Sequence, residues 1–383
     1  MVPPWCHTTL TCLVKRRSCS SFAPHIRVAK PACLTLHKEV RLLTTRHATA
    51  ADYLEYIRFV HEDPISAIQS EPNQAFQAIF DQKLANLAKE GAIFDLKGQT
   101  PHARIVSDLW EDLRSGLSDF FGDSLELAIG ELDNMSVNAF CSRSEEGHFA
   151  IVINSGLMTL FNKLSKISIA VTDPESIEYC SRELDTQNAQ AMLIGFQKEV
   201  CQHYRETRKP LGPQILLKGD ADKRHGMQLH IWEMFVLCHE VGHVLCGHLT
   251  DKELMISDVI TETPPNAADH SAREMEVEAD CIGLLLLKEY VAKVMPNAFP
   301  LGDDRLLLSH LITLFNHLSE LGIRESASHP PSLTRLCNMV EFVYGEALAQ
   351  TLQDSYRDNS LIRKIFGTPL IPGRTLKGLF SYA

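Results

Sequence analysis

Two histidines four residues apart, in a strongly apolar part of the chain, constrain the fold more than any other feature. His239 and His243 follow the largely apolar run Trp232–Cys238, which predicts a buried helix. Each residue turns an α-helix by about 100° and advances it by about 1.5 Å, so positions four apart lie one turn above each other on one face. Both imidazoles can therefore reach a single metal ion, and Glu240 lies between them in the sequence.

The pattern H-E-x-x-H is typical of zinc peptidases. Zinc lowers the pKa of a bound water molecule to about 7, so a neighbouring carboxylate can accept its proton and pass it to a leaving amine. This chemistry predicts His239 and His243 as metal ligands and Glu240 as the general base. The alternative is a non-catalytic zinc module in which the metal only stabilises helix packing. It is less favoured because a structural zinc site usually has four protein ligands and does not need the glutamate.

The residues directly after this motif do not have the spacing of a third ligand. His248 lies nine residues after His239, about half a turn round the helix, which turns it from the face of the zinc ligands. We interpret it as a residue at the C-terminal end of the helix, beside the helix-ending Gly247. Cys246 returns to nearly the same face as His239. We interpret it as a small buried packing residue, although a thiol there could instead respond to oxidation or compete for the metal.

A second helix, predicted over residues 271–287, carries better candidates for the third ligand. Glu276 and Asp280 share one face of this helix, and Glu274 and Glu278 share the other. Spacing alone does not choose between the two faces. Carboxylates near the start of a helix also interact favourably with the helix dipole, which needs no metal.

The order H-E-V-G-H followed by E-V-E-A-D resembles the HtpX and type-one CAAX prenyl protease family of zinc metalloendopeptidases, in which a second helix offers E-x-x-x-D. The resemblance implies that His239, His243 and Glu276 hold one zinc ion per chain, with water in the fourth position. It also implies that Asp280, one turn after Glu276, supports the metal site and has a role in proton transfer. Glu240 then acts on the water as the general base.

Further segments resemble the same family. Asn138–Phe140 and the strand leading into Gly156–Met158 are similar to the family's stretch before the active-site helix. Ser328–Arg335 is similar to its [ST]-H-P-P-x-x-x-R signature, in which the histidine can donate to the developing oxyanion. The resemblance implies that role for His329, although this residue could instead cap and brace the fold. We interpret Arg335 as a structural ion-pair partner rather than a substrate clamp.

The pattern of apolar residues predicts a mainly helical α+β fold. The resemblance implies a zincin-like catalytic core of the minimal gluzincin type, with a small β-sheet packed on the active-site helix. Two strands are predicted at 136–143 and 148–154, antiparallel across the turn Ser144–Gly147. Helices are also predicted at 50–61, 73–89, 104–121, 304–321 and 333–344.

These elements suggest four parts of the chain. Residues 1–48 look like a presequence or a non-native extension, because they are rich in arginine and lysine and contain a single acid, Glu39. Residues 165–228 form an insertion that is either a lid or partner-binding segment or a set of packing helices. The predicted divisions are an extension at 1–48, an N-terminal helical subdomain at 49–122, a zinc metallopeptidase core at 123–345 and a C-terminal tail at 346–383.

The net charge, the length of the apolar runs and the cysteine spacing indicate which partners and which compartment to expect. The net charge is −11 and residues 1–48 carry +7, so the remainder is strongly acidic, which argues against nucleic acid as a partner. The longest apolar stretches are well short of the roughly 18 residues of a transmembrane span. The cysteines show no C-x-x-C pairs or disulfide-like spacing, which favours a reducing compartment. We therefore expect a soluble cytoplasmic protein, or a protein of the mitochondrial matrix if residues 1–48 are a targeting segment.

Together these features predict a zinc-dependent endopeptidase that acts on a protein or peptide substrate. An extended substrate could add to the edge of the small sheet through backbone hydrogen bonds. A dedicated regulatory protease of a stress or phage response, with one partner chosen by residues 165–228, would use the same chemistry.

Overall fold

The computed structural model describes residues 48–61, several positions between 74 and 85, and residues 100–121, 125–249, 270–299, 304–321, 330–356 and 376. All of these belong to the second of the two units into which the chain divides, residues 46–383.

The described residues form a mainly helical α+β structure, as the sequence predicts. The strands among these residues are β1 (Leu127–Leu132), β2 (Ala139–Arg143), β3 (Phe149–Asn154), β4 (Ile177–Cys180) and β5 (Ile215–Leu217). The helices before and between the strands are α1 (Ala50–His61), α2 (Pro101–Gly116), α3 (Ser118–Phe121), α4 (Ser155–Thr172) and α5 (Ala189–Thr207). After the strands come α6 (Gly219–Leu245), α7 (His270–Val294), α8 (Arg305–Glu320), α9 (Ser332–Tyr344) and α10 (Glu346–Tyr356).

The predicted helices agree with the structure at most of their ends. Helix α1 has the predicted bounds, α8 is one residue shorter than predicted at each end, and α9 begins one residue earlier than predicted. Helix α2 starts three residues before the predicted Arg104, because Thr100 caps it by accepting a hydrogen bond of 3.0 Å from the Ala103 amide and Pro101 fits the first turn. The helix predicted at 73–89 lies mostly outside the described residues.

The two predicted strands are confirmed as an antiparallel hairpin. Strands β2 and β3 pair across the turn that contains Gly147, whose φ of 95° is in the left-handed region. Strand β1 was not predicted; it pairs with β3 in parallel and makes the sheet mixed, with the order β1-β3-β2. Two residues make this strand hard to recognise. A Cβ at Gly130 would lie 2.7 Å from Arg58 Nη2, and the buried Glu131 accepts hydrogen bonds from Thr100 and Ser155.

The sheet has a buried face on each side. Alternate residues of β3 point in opposite directions, so Ala150 and Val152 pack against α1 while Ile151 and Ile153 join the main core. Helix α6 contacts both β2 and β3. The small sheet therefore packs on the helix that carries H-E-V-G-H, as predicted.

Residues 165–228 are built from regular elements packed on the core. Helix α5 lies against α4 and buries Leu193, Val200 and Tyr204, and β4 pairs antiparallel with β5. This arrangement favours the packing interpretation of the segment. The range predicted as a tail begins with α10, which buries Leu348 and Leu352.

Helices α6 and α7 approach each other closely at two glycines. A Cβ on Gly242 would lie 2.8 Å from the carbonyl oxygen of Ala279, and a Cβ on Gly283 would lie 3.0 Å from the backbone nitrogen of His239. Backbone atoms cannot move aside as a flexible side chain can. The absence of side chains at these two positions is therefore what lets the two helices meet.

We expect Gly242→Ala to lower the free energy of unfolding by about 1–3 kcal/mol, the usual cost of overpacking, although alanine favours helix. Gly226 is the matched control, because it is exposed on the same helix and a Cβ there would meet no atom within 4 Å. Gly226→Ala should stabilise the protein by about 0.5–1 kcal/mol. Urea unfolding of both variants measures the change in the free energy of unfolding. If both substitutions change it in the same direction, the close approach of α6 and α7 at Gly242 is contradicted.

Within the described residues, no helix combines the length and the apolar composition needed to cross a membrane.

Candidate metal centre

Helix α6 is buried on all sides over its C-terminal half. It contacts α4, α7, α8 and the three-stranded sheet, and each residue from Ile231 to Val244 is buried. This explains why the sequence there is almost continuously apolar. The polar residues of H-E-V-G-H are thus held inside the core, where polar groups need partners.

Three side chains from α6 and α7 converge on one point. The Nε2 atoms of His239 and His243 are 3.2 Å apart, and they lie 3.4 and 3.5 Å from the two carboxylate oxygens of Glu276. Bonds of about 2.1 Å in a tetrahedral zinc site place ligand atoms about 3.4 Å apart. All three residues are at most 2% exposed. Two imidazoles and a carboxylate at these distances can hold a divalent metal ion.

The structure distinguishes the two acidic faces of α7. Glu276 and Asp280 are buried and point toward α6, whereas Glu274 and Glu278 are exposed. The close contact at Gly283, which lies on the same face as Glu276, fixes this orientation. The face that the family resemblance implied is therefore the one that meets the histidines.

Glu240 is a buried carboxylate beside the histidines. It is 0% exposed, and among the described residues neither of its oxygens has a hydrogen-bond partner of normal geometry, although the Cys141 thiol on β2 interacts with it. Burial raises the pKa of Glu240 to about 8. Buried carboxylates without partners are costly and are expected where water or a metal ion completes a site. This environment fits a metal bound at His239, His243 and Glu276.

Asp280 links His239 to a buried arginine. Its Oδ1 lies 2.9 Å from His239 Nδ1, a short contact that is off the line of an ideal hydrogen bond. Arg335, on α9, donates two hydrogen bonds of 2.7 Å to the same carboxylate. Burial alone would raise the pKa of Asp280, but Arg335 and His239 outweigh it and lower that pKa to about 2. The charged Asp280 thus orients His239, and Arg335 is the ion-pair partner that the sequence predicted.

The prediction that His248 points away from the zinc ligands is wrong, because the helix ends before it. Gly247, with φ 70°, reverses the chain, and the His248 amide donates back to the His243 carbonyl in a Schellman motif. The His248 side chain is buried, with Nδ1 2.9 Å from His243 Nδ1 and Nε2 3.1 Å from Glu278 Oε2. His248 is thus a partner of a predicted ligand and lies outside the group formed with Glu276.

Two other residues singled out from the sequence are Cys246 and His329. Cys246 is half-buried rather than fully buried, and it lies close to His248 and Glu278. His329 lies outside the described residues. The contact between Cys141 and Glu240 was missed, because strand alternation in a single sequence does not show which helix a strand face meets.

We expect Glu276→Gln to lose tightly bound zinc, since it replaces a charged ligand with a weaker neutral one. Glu278→Gln, two residues away on the exposed face, should keep it. Removing a residue that only holds a ligand in position typically costs about 10- to 100-fold in metal affinity, so removing a ligand itself should cost at least that. Zinc analysis after dialysis against a competing chelator measures both. Equal loss in the two variants would contradict the ligand set.

Neither a protein-family model, nor a curated protein, nor a solved structure matches the chain.

Proposed function

We propose that the chain is a zinc-dependent endopeptidase with a zincin-like core of the HtpX and type-one CAAX prenyl protease type. One observation carries the proposal: two imidazoles and the Glu276 carboxylate converge at ligand distances, and next to them lies the Glu240 carboxylate, which has no hydrogen-bond partner of normal geometry among the described residues. A site that only binds metal has no use for such a carboxylate, which is costly to bury. A hydrolytic site needs it as a proton acceptor.

His239, His243 and Glu276 would hold the metal. When bound, zinc lowers the pKa of a coordinated water molecule to about 7 and polarises the scissile carbonyl. Glu240 accepts a proton from the attacking water and returns it to the leaving nitrogen. Burial places its pKa at about 8, and a nearby cation would lower that value into the range useful near neutral pH.

The Arg335–Asp280 ion pair prepares the site for this chemistry. Asp280 fixes the orientation of the His239 ring through Nδ1 and leaves Nε2 directed at the ligand group. Because Arg335 holds Asp280 in its charged form, this support remains at neutral pH. Asp280 is thus a positioning residue in the proposal.

Strand β2 suggests how a substrate could bind. It forms one edge of the three-stranded sheet in the described part of the chain and contacts α6. Its Cys141 lies beside Glu240. An extended peptide that pairs with this edge would pass close to the general base, and backbone pairing would accept many side-chain sequences.

A second candidate is a non-catalytic metal site that braces α6 and α7. The burial of the ligands favours it, because His239, His243 and Glu276 are at most 2% exposed. Two observations on the described residues argue against it: Glu240 has no hydrogen-bond partner of normal geometry there, and the ligand group found there has three members rather than four.

Metal analysis combined with a cleavage assay tests the proposal. The purified chain should contain one zinc per molecule and cleave an unstructured protein such as casein. A chelator should abolish cleavage, and one equivalent of zinc should restore it. Tight zinc binding without cleavage of any peptide in a broad library would favour the bracing site, and absence of zinc would overturn both candidates.

A further inference from the structure

A second group of potential metal ligands lies next to the first, on the other side of His243. Cys246 Sγ, a His248 ring nitrogen and a Glu278 carboxylate oxygen all lie within 4.8 Å of one another. His248 Nε2 is 3.1 Å from Glu278 Oε2, close to the spacing of neighbouring zinc ligands. A thiolate, an imidazole and a carboxylate favour zinc or a similar borderline cation over Mg²⁺ or Ca²⁺.

The fold holds this group in place. The Schellman turn at Gly247 fixes Cys246 and His248 relative to the end of α6. Glu278 reaches them from the exposed face of α7, where its side chain is 61% exposed. A cation can therefore arrive from solvent without entering the buried site.

One contact connects the two groups. His243 Nδ1 and His248 Nδ1 are 2.9 Å apart, and a hydrogen bond between them needs one proton on one of the two nitrogens. If His243 binds a metal through Nε2, its proton is on Nδ1 and is donated to His248. A neutral His248 then carries its proton on Nε2, directed at Glu278, and cannot bind a metal through that atom.

The reverse holds when the second group binds a cation. His248 must then offer the Nε2 lone pair, so its proton moves to Nδ1 and is donated to His243. The proton of His243 is consequently on Nε2, which blocks the first site. If both sites were filled, His243 and His248 would each carry a proton on Nδ1, and these two protons would face each other. The two metals can then be bound together only if the two rings move apart or one of them loses its Nδ1 proton.

We infer that Cys246, His248 and Glu278 form a second, inhibitory metal site whose occupancy weakens metal binding at His239, His243 and Glu276. This rests on the proposed metal at the first site. Binding releases the Cys246 thiol proton to solvent and forms a metal–sulfur bond, with no oxidation or reduction. Coupling between sites is reciprocal, so the first metal weakens the second by the same factor.

Cobalt titration of the zinc-loaded chain tests the inference, because a thiolate bound to Co²⁺ gives a near-ultraviolet charge-transfer band that the first ligand set cannot give. We expect the band to appear and the zinc affinity of the first site to fall by about 5- to 150-fold, measured with a competing chelator. Cys246→Ser should abolish the band and the loss of zinc affinity. The matched control is Cys180→Ser, another half-buried free thiol, which should change neither.

The outcomes separate the two proposals. If the parent holds no chelator-resistant zinc before cobalt is added, the proposed function and the inhibitory coupling both fail. If zinc is bound but no band depends on Cys246, the second site alone is overturned. A Cys246-dependent band without any loss of zinc affinity would overturn the antagonism.

Discussion

Replacing Glu240 with glutamine is expected to lower peptide cleavage by about 10²- to 10⁴-fold while zinc stays bound. Glutamine has nearly the same shape but cannot accept the proton of the attacking water. Glu240 is outside the ligand group, so its loss should leave the three ligands in place. The variant should also be at least as stable as the parent, because it removes a buried carboxylate that lacks hydrogen-bond partners among the described residues.

Glu233→Gln is the matched control for this experiment. Glu233 lies two turns earlier on the same helix and is also buried, and burial raises its pKa to about 8. It does not belong to the ligand group, so its replacement should leave turnover unchanged. Turnover, zinc content and melting temperature should be measured for both variants. If Glu240→Gln cleaves as fast as the parent, Glu240 is not the general base.

Arg335→Met should destabilise the protein by about 3–5 kcal/mol, because it removes the arginine that pairs with the buried Asp280 carboxylate, and the remaining contact with His239 compensates that charge less well. Arg335 is 5% exposed and Asp280 is 0% exposed, so solvent cannot replace the lost partner. The variant should also bind zinc more weakly, since Asp280 would no longer be held against His239. Urea unfolding of the metal-free protein measures the loss of stability separately from the loss of zinc affinity.

The double variant Arg335→Met with Asp280→Asn provides the control. Removing the negative charge of Asp280 should restore part of the stability, since most of the cost of breaking a buried ion pair comes from the charged partner that remains. Zinc affinity should remain low, because asparagine supports His239 less well than a carboxylate does. If the single and double variants unfold at the same urea concentration, the charge on Asp280 is not the cause of the lower stability of Arg335→Met.

The sequence predicted those parts of the site that depend on local periodicity. The spacing of His239 and His243 places them on one face of any helix, and the apolar run before them predicts burial of that helix. The choice between Glu276 and Glu278 could not be made in this way, because both lie on α7 and only its packing separates them. That packing depends on Gly242 and Gly283, whose contacts are between helices.

Other features were missed because they depend on where an element ends. His248 was placed on the continuing helix, whereas the chain reverses at Gly247 and returns the ring to His243. The sequence did indicate that the helix ends at Gly247. A predicted helix end, however, does not show which residues the next side chain, His248, contacts. Strand β1 was missed for a related reason, since Gly130 faces α1 and Glu131 is bonded to Thr100 before α2 and to Ser155 at the start of α4.

The link from Arg335 through Asp280 to His239 has a consequence for biosynthesis. These residues come from α9, α7 and α6, so the site closes only after α9 has been synthesised and packed against its neighbours. Chains emerge from the ribosome N-terminal end first, and contacts between distant segments form late because they close long loops. A nascent chain that ends before α9 would present the histidines without the supported geometry. Metal loading, and any activity that depends on it, would therefore follow the synthesis and packing of α9.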